Sequence, residues 1–485
     1  MPRQSLAARA VMAVSLTIGF YALALFIVAA LLGAVYAELV YADKILIKPT
    51  VFAIIGAGLI LWSILPRFDR FVAPGPRLDE TQQPELFGIL RGVSTAAGEE
   101  MPSEVYLLGS QVNAWVAQRG GMMGIGSRRV MAVGLPLLES VTVPQFRAII
   151  AHEFGHYHGS DTKLGPWIYK TRQAIGRTVI NLAKSGSFIH KPFLWYGEFF
   201  LRMTQAISRA QELAADALSA QIAGARTSMA ALVAVERAAV AFDSYWTSEV
   251  IPVLSNGFRP PIAAGLTRFL GADEVASSLR KHVDKAVRGN TADEYDSHPP
   301  LGERLAALEP LAGDAAEEAG PIASTLLRNL DQLEADCLRS IFADPSKVAA
   351  LKAIEWGDTA TQVYLPAWRQ RLTPHAEFLR EIRVLELSSI AKSMPAVTKR
   401  MQLKNIDVDK RIDVAASVLS CALAVRLVDD GWACAAEPGR TVTMTKDGHT
   451  IAPFRILTRL GKGEVGEEEW SSECSATGIA EQTLA

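Results

Sequence analysis

The residues His152-Glu153-Phe154-Gly155-His156 form the stretch from which the rest of the chain can be interpreted. On a helix, side chains four residues apart share a face, so the two histidine rings can bind one metal ion from the same side. Glu153 can reach a water at the fourth position around that ion. This His-Glu-x-x-His arrangement is typical of a zinc hydrolase in which the glutamate is the general base.

The residues before this motif favour a helix. Pro144 lies near the predicted helix start, and apolar residues recur at helical spacing up to Ala151. Gly155 has no side chain, so we expect a second backbone or a substrate to approach closely there. The alternative is an ordinary helix that carries two histidines and a glutamate by coincidence.

A second helical stretch, residues 208–217, can complete the metal site. Glu212 and Asp216 are four residues apart and share a face. A catalytic zinc takes three protein ligands and keeps one position for water, so Glu212 is the candidate third ligand. Asp216 can accept the free ring N–H of a ligand histidine and fix its tautomer. The alternative is a solvated acidic face, although the neighbouring residues are mostly apolar and buried carboxylates need a partner.

Composition limits the classes of protein to consider. The 485 residues are enough for two or three domains. Lys and Arg number 49 against 51 Asp and Glu, a net charge of −2, so no nucleic-acid partner is predicted. The four cysteines form no Cys-x-x-Cys pair and are interpreted as small buried thiols, with a Cys434–Cys474 disulfide as the alternative.

Two uncharged runs near the N-terminus are long enough to cross a bilayer, at about residues 11–36 and 49–66. The short loop between them predicts an antiparallel hairpin. The positive-inside rule favours cytoplasmic termini, because more basic residues flank the two spans than lie in the loop between them. The five flanking residues are Arg3, Arg9, Arg67, Arg70 and Arg77, and the two in the loop are Lys44 and Lys48. We therefore predict a multi-pass protein of the cell (inner) membrane whose main domain faces the cytoplasm. A cleaved signal peptide ending near Ala37 is the alternative.

A small sheet is predicted just before the metal-binding helix. Glu104–Leu108 and Arg128–Val133 fit strands. Asn113 and Ala114 lie between them, at a candidate edge that could bind an extended substrate backbone by β-augmentation. An ordinary loop at these two residues is the alternative.

Three motifs in order resemble one family. These are the motif at 152–156, Glu212 within Ser-Arg-x-x-Glu-x-x-Ala-Asp, and the Ser-His-Pro-Pro-Leu-Gly-Glu-Arg segment at 297–304. They resemble the HtpX-type and CAAX-prenyl-protease-type membrane zinc metallopeptidases, which are gluzincins. Asn113-Ala114 resembles the Asn-Ala edge-strand motif of that family. The resemblance covers about residues 1–310.

The resemblance implies one Zn²⁺ per chain and assigns roles around it. The three zinc ligands would be His152, His156 and Glu212. Glu153 would be the general base, and Asp216 would be the carboxylate beside the ligands. It also places His298 and Arg304 at the active site, where His298 would donate to the developing oxyanion or bind zinc in a resting state. The chain departs from HtpX proteins in one respect, because residues 160–207 hold no further hydrophobic span.

The segment Lys191–Met203 is aromatic but interrupted by charges, and it is too short to cross a membrane. Core packing is the default interpretation. A position at the membrane interface or in a substrate groove is the alternative.

The fold class that these patterns predict is α+β and mainly helical. Beyond residue 320, the pattern predicts helices to about Leu403, and it predicts a packed helix at Val414–Leu427. Trp432–Leu460 reads as β-rich, with a hairpin turn at Asp447-Gly448. The predicted parts are a transmembrane hairpin at 1–72, a zincin-like metalloprotease domain with a small sheet at 78–312, and a C-terminal α+β extension of unassigned role at 321–485.

The function that follows is a membrane-anchored zinc endopeptidase that hydrolyses peptide bonds of protein substrates. The family resemblance suggests membrane protein quality control or processing, with a protein or peptide substrate and the lipid bilayer as partners. One alternative is a catalytically silent zinc-binding membrane scaffold, against which the intact Glu153 argues. Another is a prenyl-protein (CAAX) protease, which usually has many more membrane spans.

Overall fold

The computed structural model describes residues 6–42, 44–65, 71–120, 126–157, 165–184, 186, 188–289, 299–342, 344–401, 407 and 410–485. The chain forms two compact units, the first from Met1–Arg237 and Lys281–Leu330, the second from Ala238–Arg280 and Asp331–Ala485. The predicted peptidase domain at 78–312 includes residues 238–280. In the structure, these residues belong to the second compact unit together with the C-terminal residues. The predicted domain boundaries therefore stay a prediction.

The first unit begins with two long apolar helices, α1 (Leu6–Tyr41) and α2 (Ile47–Ile64). Among the described residues, these are the helices long and apolar enough to cross a membrane, over Val11–Tyr41 and Ile47–Ile64. Large apolar side chains on their outer faces are exposed, with Phe26 at 72%. These bounds agree with the two predicted apolar runs. Arg3, Arg67 and Arg70, on which the predicted orientation partly rests, lie outside the described residues.

A four-stranded sheet follows, in the order β1-β2-β4-β3. Its strands are β1 (Arg77–Leu78), β2 (Glu104–Leu108), β3 (Ala114–Arg119) and β4 (Arg128–Gly134). β2 is parallel to β4, and β3 is antiparallel to β4 at the edge. The small sheet before the metal-binding helix is therefore present, and Ala114 begins its edge strand.

The remaining helices up to residue 312 include those that carry the site. Their bounds are α3 (Pro84–Ala97), α4 (Leu135–Ser140), α5 (Val143–Gly155), α6 (Gly165–Lys184), α7 (His190–Ala223), α8 (Ala225–Tyr245), α9 (Ile251–Ser255), α10 (Ile262–Gly271), α11 (Asp273–Arg288) and α12 (Leu301–Ala312). The chain leaves the first unit within α8 and returns to it within α11.

The second unit is mainly helical and has its own core. Its later elements are α13 (Leu330–Ile341), α14 (Pro345–Ala349), α15 (Leu365–Leu372), α16 (Ala376–Arg380), α17 (Leu387–Lys392), α18 (Met394–Arg400), α19 (Arg411–Asp429), α20 (Pro453–Gly461) and α21 (Glu467–Ala476), with β5 (Phe258–Arg259), β6 (Lys352–Ala353), β7 (Ala433–Ala435), β8 (Thr443–Lys446) and β9 (His449–Ile451). α19 is buried in this core, as predicted for a packed helix.

The predicted hairpin is present, because β8 pairs with β9 across Asp447 and Gly448, both of which have positive φ. The prediction of a β-rich segment up to Leu460 is wrong at its end, where α20 forms. Its apolar residues recur at helical spacing and Pro453 starts it. All four cysteines are free thiols, which excludes the Cys434–Cys474 alternative in this structure.

Candidate metal centre

α5 carries the first three candidate site residues, and a capping box fixes its start. The Gln145 backbone N–H donates to Thr142 Oγ1, and the Thr142 N–H donates back to the Gln145 side chain at 3.0 Å. Pro144 occupies the first turn, where its missing N–H costs no hydrogen bond. The helix start predicted from Pro144 is therefore confirmed.

α5 and α7 approach each other closely at Gly155. A Cβ built on Gly155 would lie 2.7 Å from Ala215 Cα and 2.9 Å from Ala215 Cβ. One turn further along α7, Ser219 Oγ donates to the Ala148 carbonyl of α5 at 2.8 Å, and this bond is buried. The absent side chain at Gly155 thus admits the α7 backbone, one of the two possibilities that the sequence left open.

The ring nitrogens of α5 and a carboxylate of α7 converge. His152 Nε2 lies 3.5 Å from Glu212 Oε2, and His156 Nε2 lies 3.6 Å from Glu212 Oε1. Donor atoms about 2.0–2.2 Å from a tetrahedral zinc are separated by roughly 3.4 Å. Glu212 is buried, with 7% of its side chain exposed. The spacing and the chemistry of these three donors therefore fit a zinc ion.

Glu153 also lies near the two rings. The donor atoms of His152, Glu153 and His156 fall within 4.8 Å of one another, so this trio could hold a metal by itself. We favour Glu212 as the carboxylate ligand, because its two oxygens stand at zinc-like distances from both rings. That choice leaves Glu153, whose carboxylate lies near both rings, as the candidate general base.

Asp216 and Arg304 orient the first histidine. His152 Nδ1 donates to Asp216 Oδ1 at 2.9 Å, which leaves Nε2, on the side of Glu212, as the nitrogen that can bind a metal once the ring is neutral. Arg304, on α12, donates to the same carboxylate through Nε at 2.8 Å and Nη2 at 2.6 Å. Arg304 Nη2 is 3.4 Å from His152 Nδ1, but both atoms are donors here, so this contact is an approach and not a bond.

These contacts shift the pKa values of His152 and Asp216. Burial lowers the pKa of His152, but its hydrogen bonds to Asp216 and Glu212 outweigh burial and raise it to about 9. Burial raises the pKa of Asp216, and hydrogen bonds from Arg304 and His152 outweigh that effect and hold it below its usual range. Asp216 therefore stays ionised, as a carboxylate that orients a histidine must.

The comparison with known families agrees with this geometry. Residues 80–312 match the model of peptidase family M48. The chain carries an M48 peptidase domain. The resemblance inferred from the three motifs is thereby confirmed, and the chain is a metallopeptidase, a hydrolase of peptide bonds. No solved structure matches the chain.

The edge strand of the M48 domain lies beside the end of α5. The Gly134 N–H donates to the Asn113 carbonyl at 2.8 Å, so Asn113 faces β4, and its neighbour Ala114 turns its backbone groups away from the sheet. The backbone N–H and C=O of Val116 also point away from β4, and its carbonyl accepts a hydrogen bond from the Tyr157 hydroxyl at 2.7 Å. Tyr157 directly follows the zinc motif, so this bond ties the strand to α5.

Tyr157 was not anticipated from the sequence. The Arg129 guanidinium lies 4.7 Å from the centre of its ring, and burial raises the pKa of Tyr157 to about 12, so the hydroxyl stays a donor. A single aromatic residue after a histidine carries no sequence signal for such a role. His298, by contrast, was singled out from the sequence but lies outside the described residues, so its role stays a prediction.

Replacing Gly155 by Ala should destabilise the M48 domain and weaken metal binding. The added methyl would overlap Ala215, so α7 must shift, and overpacking of this kind costs about 1–3 kcal/mol. Thermal unfolding with and without zinc measures both effects. Gly88→Ala in α3 is the matched control, because a Cβ there meets no atom within 4 Å. Equal unfolding temperatures for the two variants would contradict the close approach.

Zinc affinity of the metal-free protein should rise with pH. The raised pKa of His152 means that its ion pairs contribute stability fully below pH about 6.5, and that this contribution is lost as the pH rises through about 9. Zinc binds the neutral ring, so it must displace this proton below pH 9. The apparent association constant should therefore increase up to about tenfold per pH unit. Titration against a chromophoric chelator tests this, and a constant affinity from pH 7 to 9 would contradict it.

Proposed function

We propose that the chain is a membrane-anchored zinc endopeptidase that cleaves protein substrates. The observation that carries this proposal is the approach of the Glu212 carboxylate to both histidine rings at 3.5 and 3.6 Å. The M48 match over residues 80–312 supports the peptidase class independently. One Zn²⁺ per chain would be held by His152, His156 and Glu212.

The residues around the metal have distinct tasks in peptide hydrolysis. When bound, zinc supplies Lewis acidity for the scissile carbonyl and the attacking water. Glu153 accepts the proton of that water and passes it to the leaving amine. Asp216 keeps the proton of His152 on Nδ1, and Arg304 holds Asp216 in place. We further assign His298 to stabilisation of the oxyanion, by analogy with the family.

The edge strand β3 is the proposed substrate-binding surface. Ala114 turns its N–H and C=O away from the sheet, where an extended peptide can pair with them, and the exposed Asn113 stands at the entrance of that strand. Pairing through backbone groups depends little on which side chains the substrate carries. This favours a broad range of protein substrates.

The two apolar helices support anchoring in the cell (inner) membrane as a multi-pass protein. We place the M48 domain on the cytoplasmic side, from the arginine bias around the helices. A site held next to a bilayer suits membrane or misfolded proteins as substrates, and hence a role in membrane protein quality control or processing.

The experiment that tests this function compares substrate classes. The full chain, purified in detergent, is incubated with casein and with a prenylated CAAX peptide, with and without a zinc chelator. Chelator-sensitive cleavage of casein supports the proposal, whereas cleavage of only the prenylated peptide favours a CAAX protease. Bound zinc without any cleavage favours the silent scaffold, unless His298→Ala restores cleavage and so reveals a resting state.

A further inference from the structure

The first half of α7 and the turn before it expose a row of large apolar side chains. We name this row the aromatic stripe, and it consists of Phe188 (70% exposed), Leu194 (45%), Trp195 (68%), Phe199 (41%) and Met203 (38%). Trp195 and Phe199 stack with their ring centroids 6.2 Å apart. Outside residues 6–65 and the α6–α7 region, no two exposed large apolar residues in the described part of the chain are neighbours in sequence.

The stripe belongs to a helical hairpin, α6–α7, that packs along the apolar helices. Near the end of α6, the Asn181 side chain donates to Ser63 Oγ of α2 at 2.9 Å. At the tip, Phe188 stacks on Phe52 of α2 with centroids 5.9 Å apart. On the other side, the Tyr196 hydroxyl donates to the Leu16 carbonyl of α1. The four helices share one buried apolar cluster.

These contacts give the depth of the hairpin along α2. Ser63 lies at the end of α2, and Phe52 lies eleven residues before it. At 1.5 Å per residue this corresponds to about 17 Å of the roughly 27 Å that α2 spans. The tip therefore reaches beyond the middle of α2, although α6 and α7 were too polar to be predicted as spans.

Several polar groups of the hairpin face α2 or lie at the tip and near the end of the stripe, where they are compatible with lipid on its outer face. Helices satisfy their own backbone hydrogen bonds, and Arg177, which faces α2, is 3.4 Å from the Ser63 carbonyl. The exposed Lys184 and Lys191 flank the tip, and Arg202 lies near the other end of the stripe. Long basic side chains can extend their charged ends toward headgroups while their stems stay in the apolar region.

From these observations we infer that α6–α7 is a re-entrant hairpin that inserts into the bilayer beside α1 and α2, with the aromatic stripe against the acyl chains. The stripe continues the exposed apolar surface of α1 and α2, which identifies lipid as its occupant. This inference rests on the membrane anchoring stated under the proposed function.

The insertion fixes the height of the metal site above the membrane. α7 is one uninterrupted helix of 34 residues that carries the stripe in its first half and Glu212 in its second. Glu212 follows Met203 by nine residues, about 14 Å along the axis. A protease anchored in this way cleaves substrate segments close to the membrane surface.

Spin labelling in vesicles of phosphatidylcholine and phosphatidylglycerol tests the insertion on the full chain. Single cysteines replace Phe188, Trp195 and Met203, and accessibility to oxygen, which partitions into lipid, is compared with accessibility to an aqueous nickel chelate. Phe26→Cys on α1 is the lipid-exposed reference. Leu311→Cys on α12, an exposed apolar position at 56%, is the matched reference in water.

The native thiols contribute little background in this experiment. Three of the four cysteines are buried, and burial raises the pKa of the half-buried Cys434 to about 11, so little reactive thiolate forms. Wild-type protein taken through the same labelling measures what remains. Zinc content of each variant reports whether the M48 domain has folded.

We expect the oxygen-to-nickel ratio at Phe188 and Trp195 to approach that at Phe26 and to exceed that at Leu311, with the deepest position at Phe188. Nickel accessibility at Phe188 and Trp195 equal to that at Leu311 would overturn the inference, and so would exclusion of both reagents, which indicates a protein partner on the stripe. If Phe26 is in lipid and the stripe is not, the hairpin inference fails while the anchoring stands. If Phe26 is also in water, the anchoring itself fails.

Discussion

Glu153→Gln should abolish most proteolysis while zinc stays bound. Glutamine keeps the shape of the side chain but cannot accept the proton of the attacking water. Loss of a general base typically lowers the rate by about 10²–10⁴-fold. Because the three proposed ligands His152, His156 and Glu212 are untouched, the zinc content should equal that of the wild type. The rate is measured with casein, and the metal by mass spectrometry.

A glutamate away from the site provides the control for this variant. Glu309→Gln on α12 removes a charge that pairs with Arg226 at 3.0 Å on the surface of the same unit, so activity should be unchanged. Wild-type activity in Glu153→Gln would exclude Glu153 as the base. Loss of zinc from that variant would instead indicate that Glu153 is the carboxylate ligand.

Glu212→Ala should remove zinc from the purified protein. Two histidines alone leave a site with too few ligands. Loss of a residue that hydrogen-bonds to a metal ligand already weakens metal binding by roughly 10–100-fold. Loss of a ligand itself should weaken metal binding by more than this. The variant should also lose proteolysis, because the metal is needed for the chemistry. Equilibrium competition with a chelator measures the affinity.

The control for Glu212→Ala is Glu236→Ala in the same compact unit. Glu236 pairs with His282 at 3.1 Å on a partly exposed surface, so its loss should leave zinc affinity unchanged. Full zinc content in Glu212→Ala would contradict the proposed ligand set and favour the trio with Glu153.

Much of the candidate site was predictable from the sequence because helical geometry relates residues four apart. His152 and His156 are such a pair, and so are Glu212 and Asp216. Gly155 indicated that a second backbone could approach α5 closely, and in the structure it meets Ala215 of α7. The bidentate contact of Arg304 with Asp216 needed the fold, since 88 residues separate them.

Other features depend on contacts that no local pattern encodes. The segment Lys191–Met203 was expected to pack in a core, but only one side of it is buried, and Trp195 and Phe199 face outward. Residues 238–280 belong to the second unit because they contact residues that are distant in the sequence, which no local pattern predicts. The helix at Pro453–Gly461 was missed because a preceding hairpin extended the β interpretation too far.

The most direct test of the central claim is the metal content of the full chain, purified in detergent without added metal, together with casein cleavage before and after chelation. We predict one zinc per chain and cleavage that is lost with the metal and restored by adding zinc. A chain that binds no zinc, or that cleaves casein equally well after its zinc has been removed, would contradict the account.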